Sequence, residues 1–226
     1  MDVKIRQILD LIDRLLTAES VEEDRIGMEA YMKNHFNYYG VKAPARKLVL
    51  KEVKSHLIGI ESEFFFKLVE ELWNHPKRES QYIGLDVLVY KKKLWDISYL
   101  SRIEKLIISK SWWDTVDGLA PNIAGFIFSK DKDVKIEWIE KWNNSDNMWL
   151  NRSALIHQLR YKSAVDLDLL FTLVKTHIGS NEFFLDKASG WALRQASKFH
   201  PEAIKDFIES HPNLSKLTIR EGSKYL

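Results

Sequence analysis

Hydrophobic residues recur every three or four positions along almost the whole chain, the spacing of one helix face. Val3, Ile5, Ile8, Leu9, Ile12, Leu15 and Leu16 set the rhythm, and Asp2 stands where it caps the first turn. Ser20-Val21-Glu22-Glu23 reads as a capping box opening a second helix, which carries Ile26, Met28, Ala30, Tyr31 and Met32 toward Phe36. Tyr38 to Pro44 reads as a turn, with Gly40 supplying backbone freedom and Pro44 suited to the first position of a third helix ending near His56. Further helices are predicted over 62–73, 77–90 and 98–109, and around Trp112 to Asp117 with an interruption at Pro121. The same pattern continues over 134–142, 148–162, 167–177, 183–199 and 201–210.

No segment alternates with a period of two, and hairpin signals are missing. The expected fold class is therefore all-α. Polar breaks at Asn74-His75-Pro76, Ser109-Lys110-Ser111, Asn143 to Asn147 and Gly179-Ser180-Asn181 recur at roughly 35–40 residues, the period of HEAT-like antiparallel helix pairs. Such pairs stack into a curved solenoid with a concave face. No boundary stands out, so residues 1–226 are expected to form a single domain.

Composition narrows the chemistry. A chain of 226 residues that is 45% hydrophobic and 29% charged has ample material for a core. It has no cysteine, which excludes disulfides, thiolate zinc sites and cysteine nucleophiles and fits a reducing compartment. The first residues lack a signal-peptide pattern and no apolar run reaches the length of a membrane span, so a cytoplasmic location is expected, with no membrane partner. There is no HExxH, P-loop or GxGxxG, and the seven histidines do not pair at ligand spacing. Neither a metal nor a cofactor is expected. The net charge of +2 means that any basic surface must be local and balanced by acid elsewhere.

Within this frame the stretch Trp112-Trp113-Asp114-Thr115-Val116-Asp117 is unusual. On a helix Trp113 and Asp117 stand at i and i+4 on one face, while Trp112 points with Val116, Leu119 and Ile123 toward the core. An indole beside a carboxylate suits a flat or cationic ligand; a surface acid beside a half-buried ring is the plainer reading. Arg152 lies in an apolar stripe with Met148, Leu155, Ile156 and Leu159, so it must meet an anion, either an internal carboxylate or a phosphate. Lys187, Trp191, Arg194 and Lys198 share one stripe at i, i+4, i+7 and i+11, which suits a phosphate backbone as well as a solvated basic face. Arg160-Tyr161-Lys162 and Lys77-Arg78 add further cations, while Lys91-Lys92-Lys93 reads as a solvated helix end.

Four pieces of the sequence, in order, carry a resemblance: Tyr31-Met32-Lys33 with Gly40 to Pro44 and Arg46; Trp112 to Asp117; Asn151-Arg152; and Lys187-Ala188-Ser189-Gly190-Trp191-Ala192-Leu193-Arg194. Together they resemble the AlkD-type DNA alkylation repair family, DNA glycosylases built from HEAT-like repeats. The resemblance implies a monomeric, monofunctional enzyme that removes N3- or N7-alkylated purines from duplex DNA without drawing the base into a pocket. By the same resemblance Asp117 is the catalytic carboxylate and Trp113 and Trp191 hold the damaged nucleotide's sugar. Arg152 contacts a phosphate near the lesion, and Tyr31 lines the cleft. Arg160, Lys187, Arg194 and Lys198 are the expected DNA-binding cations. The chemistry is coherent: a cationic purine is a good leaving group, and a fixed carboxylate stabilises the oxocarbenium-like sugar that forms as the bond breaks. The alternative is a non-catalytic helical-repeat scaffold that binds DNA or protein.

Overall fold

The computed structural model describes residues 2–130 and 132–226. Among them there is no strand beyond an isolated parallel bridge between Asn37 and Lys77. The all-α expectation therefore holds, and the contacts divide the chain into two compact units, Met1–Trp95 and Asp96–Leu226.

The first unit holds α1 (Val3–Ala18), α2 (Glu22–Tyr31), α3 (Ala43–Ser55), α4 (Ser62–Asn74) and α5 (Arg78–Tyr90). The Asp2 carboxylate caps α1, accepting from the amides of Lys4 and Ile5, and Ile5, Ile8, Ile12 and Leu16 form its buried stripe. The expected capping box does not form. Ser20 Oγ donates instead to the Thr17 carbonyl at 2.8 Å, closing α1, and α2 begins after Val21 without a side-chain cap. Nor does α2 reach Phe36: it ends at Tyr31, and Lys33 and Asn34 take the left-handed conformation.

The turn before α3 is held by one buried acid. Glu79, in the first turn of α5, accepts from the amides of Tyr39, Gly40 and Val41 at 2.9–3.1 Å. Gly40 is required there, because φ is +92° and a Cβ would stand 2.2 Å from the Val21 carbonyl oxygen.

The second unit contains α6 (Leu100–Ile108), α7 (Trp113–Leu119), α8 (Gly125–Phe128), α9 (Lys132–Asn143), α10 (Met148–Ile156), α11 (Leu167–Thr176), α12 (Phe183–Ser197), α13 (Pro201–Ser210) and α14 (Lys216–Gly222). Pro121 interrupts the helix as expected. It lacks an N–H, and the chain widens into a π turn over Ala120–Ala124 between α7 and α8. The helix anticipated over 148–162 stops at Ile156, followed by a short 3₁₀ turn at Lys162–Ala164 where Lys162 has positive φ. α14 lies beyond every predicted helix.

The repeat is visible in a bond pattern that helical periodicity does not reveal. On α5, the Gln81 side-chain amide donates to the carbonyls of Leu72, Trp73 and His75. On α10, the Asn151 amide donates to those of Trp142, Asn143 and Ser145. In both cases the acceptors lie nine, eight and six residues back, at the end of the preceding helix. Each amide satisfies carbonyls that a helix C-terminus leaves without intrahelical partners, and each fixes the same helix–turn–helix geometry.

Candidate active site

Three helices of the second unit build the site. α10 packs against α7 on one side and α12 on the other. Arg152, in the middle of α10, reaches both. Its Nε and Nη2 donate to Oδ1 and Oδ2 of Asp117 on α7, each at 2.8 Å, and its Nη1 donates to the Phe184 carbonyl in the first turn of α12 at 2.6 Å. Of the two anions that sequence left open for Arg152, the structure supplies the carboxylate, and that carboxylate is Asp117 itself.

The two ends of this pair differ in exposure. The Arg152 side chain is 4% exposed and that of Asp117 18%, so the carboxylate is the outer member. Burial pushes the Asp117 carboxyl above its ordinary value, the Arg152 guanidinium pulls it down, and the charge of Asp114 adds a smaller upward push. The two effects oppose each other, because protonating Asp117 would leave a permanently charged, buried guanidinium without its anion.

Around the pair lies an aromatic cluster. Trp112 does not join the core as predicted. The helix starts only at Trp113, and Trp112 is the extended residue before it (φ −159°, ψ 163°), so it leaves the face shared by the buried Val116, Leu119 and Ile123. Its ring packs instead against Trp149 and Phe184, with centroids 5.7 and 5.3 Å apart, and Trp149 and Phe184 are 5.0 Å from each other. Trp149 was not singled out by the sequence, and Phe184 only as one of the apolar face Phe184, Ala188, Ala192 and Phe199; the ring cluster becomes visible only once α7, α10 and α12 are packed together. Trp113 opens α7 one turn before Asp117 and is half-buried. Trp191 lies on α12 seven residues after Phe184, on the same stripe and about 10 Å along the axis, also half-buried.

The cations divide. Lys187 and Arg194 both bind Glu221 of α14. Lys198 is exposed and sits over the Tyr225 ring, 4.8 Å from its centroid. Arg160 is exposed in the turn after α10. Tyr31 ends α2 in the first unit and is 73% exposed. Among the described residues no group of histidines and carboxylates is arranged to hold a metal ion, and no helix is long and apolar enough to cross a membrane.

A helical-repeat protein with a largely buried carboxylate pinned beside tryptophans is the class these observations define, and its likeness to known proteins places it further. Residues 12–226 match the model of the DNA alkylation repair enzyme family, and the chain belongs to that family. Its fold matches a predicted DNA alkylation repair enzyme from Enterococcus faecalis with a TM-score of 0.86 and 29% identity, covering 92% of this chain and 97% of that one. It is also similar to AlkD2 from Streptococcus mutans (TM-score 0.61, 17% identity, 78% and 88% covered). The smu.31 protein from Streptococcus mutans UA159 gives a TM-score of 0.61 at 16% identity, with 89% and 96% covered. These last two likenesses are of fold. No curated protein matches the sequence.

Proposed function

We propose that this member of a DNA alkylation repair family is a monofunctional glycosylase, which hydrolyses the N-glycosidic bond of N3- or N7-alkylated purines in duplex DNA. The observation that carries the reading is the Asp117 carboxylate, fixed by a bidentate guanidinium, outermost in its pair and one turn from Trp113. An oriented anion of this kind acts where positive charge develops on the sugar, with no reorganisation at the moment of reaction. Arg152 subtracts from its field, but it also prevents the partly buried acid from protonating and holds both oxygens in one plane. Three N–H donors of its fork are spent on Asp117 and Phe184, and with 4% of the side chain exposed the phosphate contact assigned to Arg152 is confined to that narrow opening. The indoles of Trp113 and Trp191 flank the sugar and add cation–π stabilisation. Arg160 and Lys198 are the exposed cations assigned to the DNA backbone, and Tyr31 is a further residue assigned to DNA contact.

The test is release of 7-methylguanine from duplex DNA by the wild-type protein and by Asp117→Asn. Loss of at least a hundredfold in the rate of release supports the reading, and equal release by both proteins defeats it. The second reading, a DNA-binding scaffold without catalysis, draws on the same pair, because Arg152 ties α7, α10 and α12 together as a purely structural clamp would. In that case no alkylated duplex loses a base, and Asp117→Asn tightens DNA binding by removing a negative charge.

A further inference from the structure

The cationic stripe of α12 is organised by a segment that sequence periodicity did not register. α14 lies close on α12. Thr218 Oγ1 donates to the Asp186 carbonyl at 3.0 Å, and a Cβ on Gly190 would stand 2.6 Å from the Glu221 Cβ, so only glycine permits the approach. That approach sets the Glu221 carboxylate between the cations on either side of Trp191. Oε1 accepts from Lys187 at 2.7 Å; Oε2 accepts from Arg194 at 2.8 Å and meets Lys224 at 3.2 Å; Arg220 stands 4.0 Å away. Lys198, the last cation of the stripe, rests on Tyr225, so residues 221–225 organise all three cations of the α12 stripe.

We propose that Glu221 is a positioning residue for DNA: it gathers Lys187, Arg194, Arg220 and Lys224 into one phosphodiester-binding cluster beside Trp191. This rests on the DNA-repair reading and adds to it two cations, Arg220 and Lys224, and the acid that arranges them.

The charge balance favours binding over mere packing. One carboxylate faces four cations, so the cluster keeps a net charge of three positive. Packing alone would be served by a single partner. The Glu221 side chain is only 4% exposed, with Gly190 of α12 close against its Cβ and Lys187, Arg194 and Lys224 around its carboxylate. The cations themselves stay open to solvent, at 39% for Lys187, 20% for Arg194, 72% for Arg220 and 49% for Lys224. An ammonium has three donors and a guanidinium five, so each has donors beyond the one spent on Glu221. Lys187, with Lys224, holds the Glu221 carboxyl down at about 2, so the acid stays charged throughout any working pH range. Long cationic side chains otherwise lose much rotamer freedom on meeting a phosphate; held in advance by a buried anion, they lose less.

The experiment compares full-length wild type, Glu221→Gln, Glu221→Asp, Arg220→Ala and Lys224→Ala. Binding to an undamaged fluorescent duplex is titrated at several salt concentrations, and release of 7-methylguanine is measured in parallel. Glu221→Gln raises the net charge by one, so an acid that merely restrained binding would give tighter binding on removal. A positioning acid gives the opposite: affinity falls about three- to tenfold, KM rises while kcat changes less than twofold, and Glu221→Asp recovers most of the loss. Arg220→Ala and Lys224→Ala alter side chains that are 72% and 49% exposed. Each should weaken binding and lower the salt slope by about one. Unchanged or tighter binding by Glu221→Gln overturns the proposal. If Glu221→Gln unfolds, unchanged binding by both alanine variants overturns it instead. The duplex titration reads the cluster even where no base is released, so failure of the glycosylase reading is seen separately, as absent release by a wild-type protein that binds.

Discussion

At the scale of single residues, the pair Asp117–Arg152 joins stability to chemistry. The guanidinium lowers the acid's pKa, while burial and Asp114 raise it. Replacing Arg152 by Gln removes the lowering influence and leaves the two that raise it. The folded-state pKa of Asp117 then climbs further above its ordinary value, and ionisation at neutral pH costs stability that returns as pH falls. The acid limb of the pH–rate profile for base release should move to higher pH in Arg152→Gln, and thermal unfolding should show a loss of about 3 kcal/mol, typical of breaking a largely buried pair from one side. An acid limb that stays in place would show that Asp117 is not the group whose ionisation limits the rate. The sequence made both residues visible, Asp117 by its spacing from Trp113 and Arg152 by its place in an apolar stripe. Their partnership was not visible, because 35 residues separate them and several acids were available to Arg152.

At the scale of helices, legibility divides by the kind of force. Apolar stripes are a local property of the chain, and they located helices such as 201–210 within the residues observed. Boundaries set by a competing hydrogen bond were read less well: Ser20 was given to α2 when its hydroxyl closes α1. α14 has seven residues and is held by Gly190, Thr218 and Glu221, contacts that periodicity cannot report. The amides Gln81 and Asn151 are of the same kind, since their carbonyl acceptors lie at a neighbouring helix end. This yields a paired prediction. Gln81→Ala and Asn151→Ala each leave three carbonyls at a helix end without their donor, and each should cost about 2–3 kcal/mol in denaturant unfolding. The identical offsets demand similar losses from the two substitutions. A large loss from one and none from the other would mean that the shared pattern does not hold the repeats. At α12, Gly190→Ala forces a Cβ against Glu221 and should destabilise by about 1–3 kcal/mol through overpacking.

At the scale of the whole molecule, the near-neutral charge is consistent with a local DNA surface, since the +2 total hides a cluster of three positive charges around Glu221. Global stability should nonetheless depend strongly on acid, through two groups in different surroundings. His157 is fully buried between Phe128 and Tyr161, with Nδ1 donating to the Ala154 carbonyl at 2.6 Å. Burial above all, with a smaller contribution from Lys135, lowers its pKa from 6.5 to about 4. The unfolded chain therefore takes up a proton near pH 6.5 while the folded protein refuses it, and stability is lost as pH falls from there toward 4, by about 3 kcal/mol in all. Glu221 acts lower down: its pKa falls from 4.5 to about 2, so the stability it contributes is complete above 4.5 and drains away between 4.5 and 2. The melting temperature should decline in two successive stages on acidification. His157→Phe, which fills the same apolar site without a titrating group, should flatten the upper stage and leave the lower one. Chemical denaturation at pH 7, 5 and 3.5 measures both, and an unchanged upper stage in His157→Phe would remove His157 as its source.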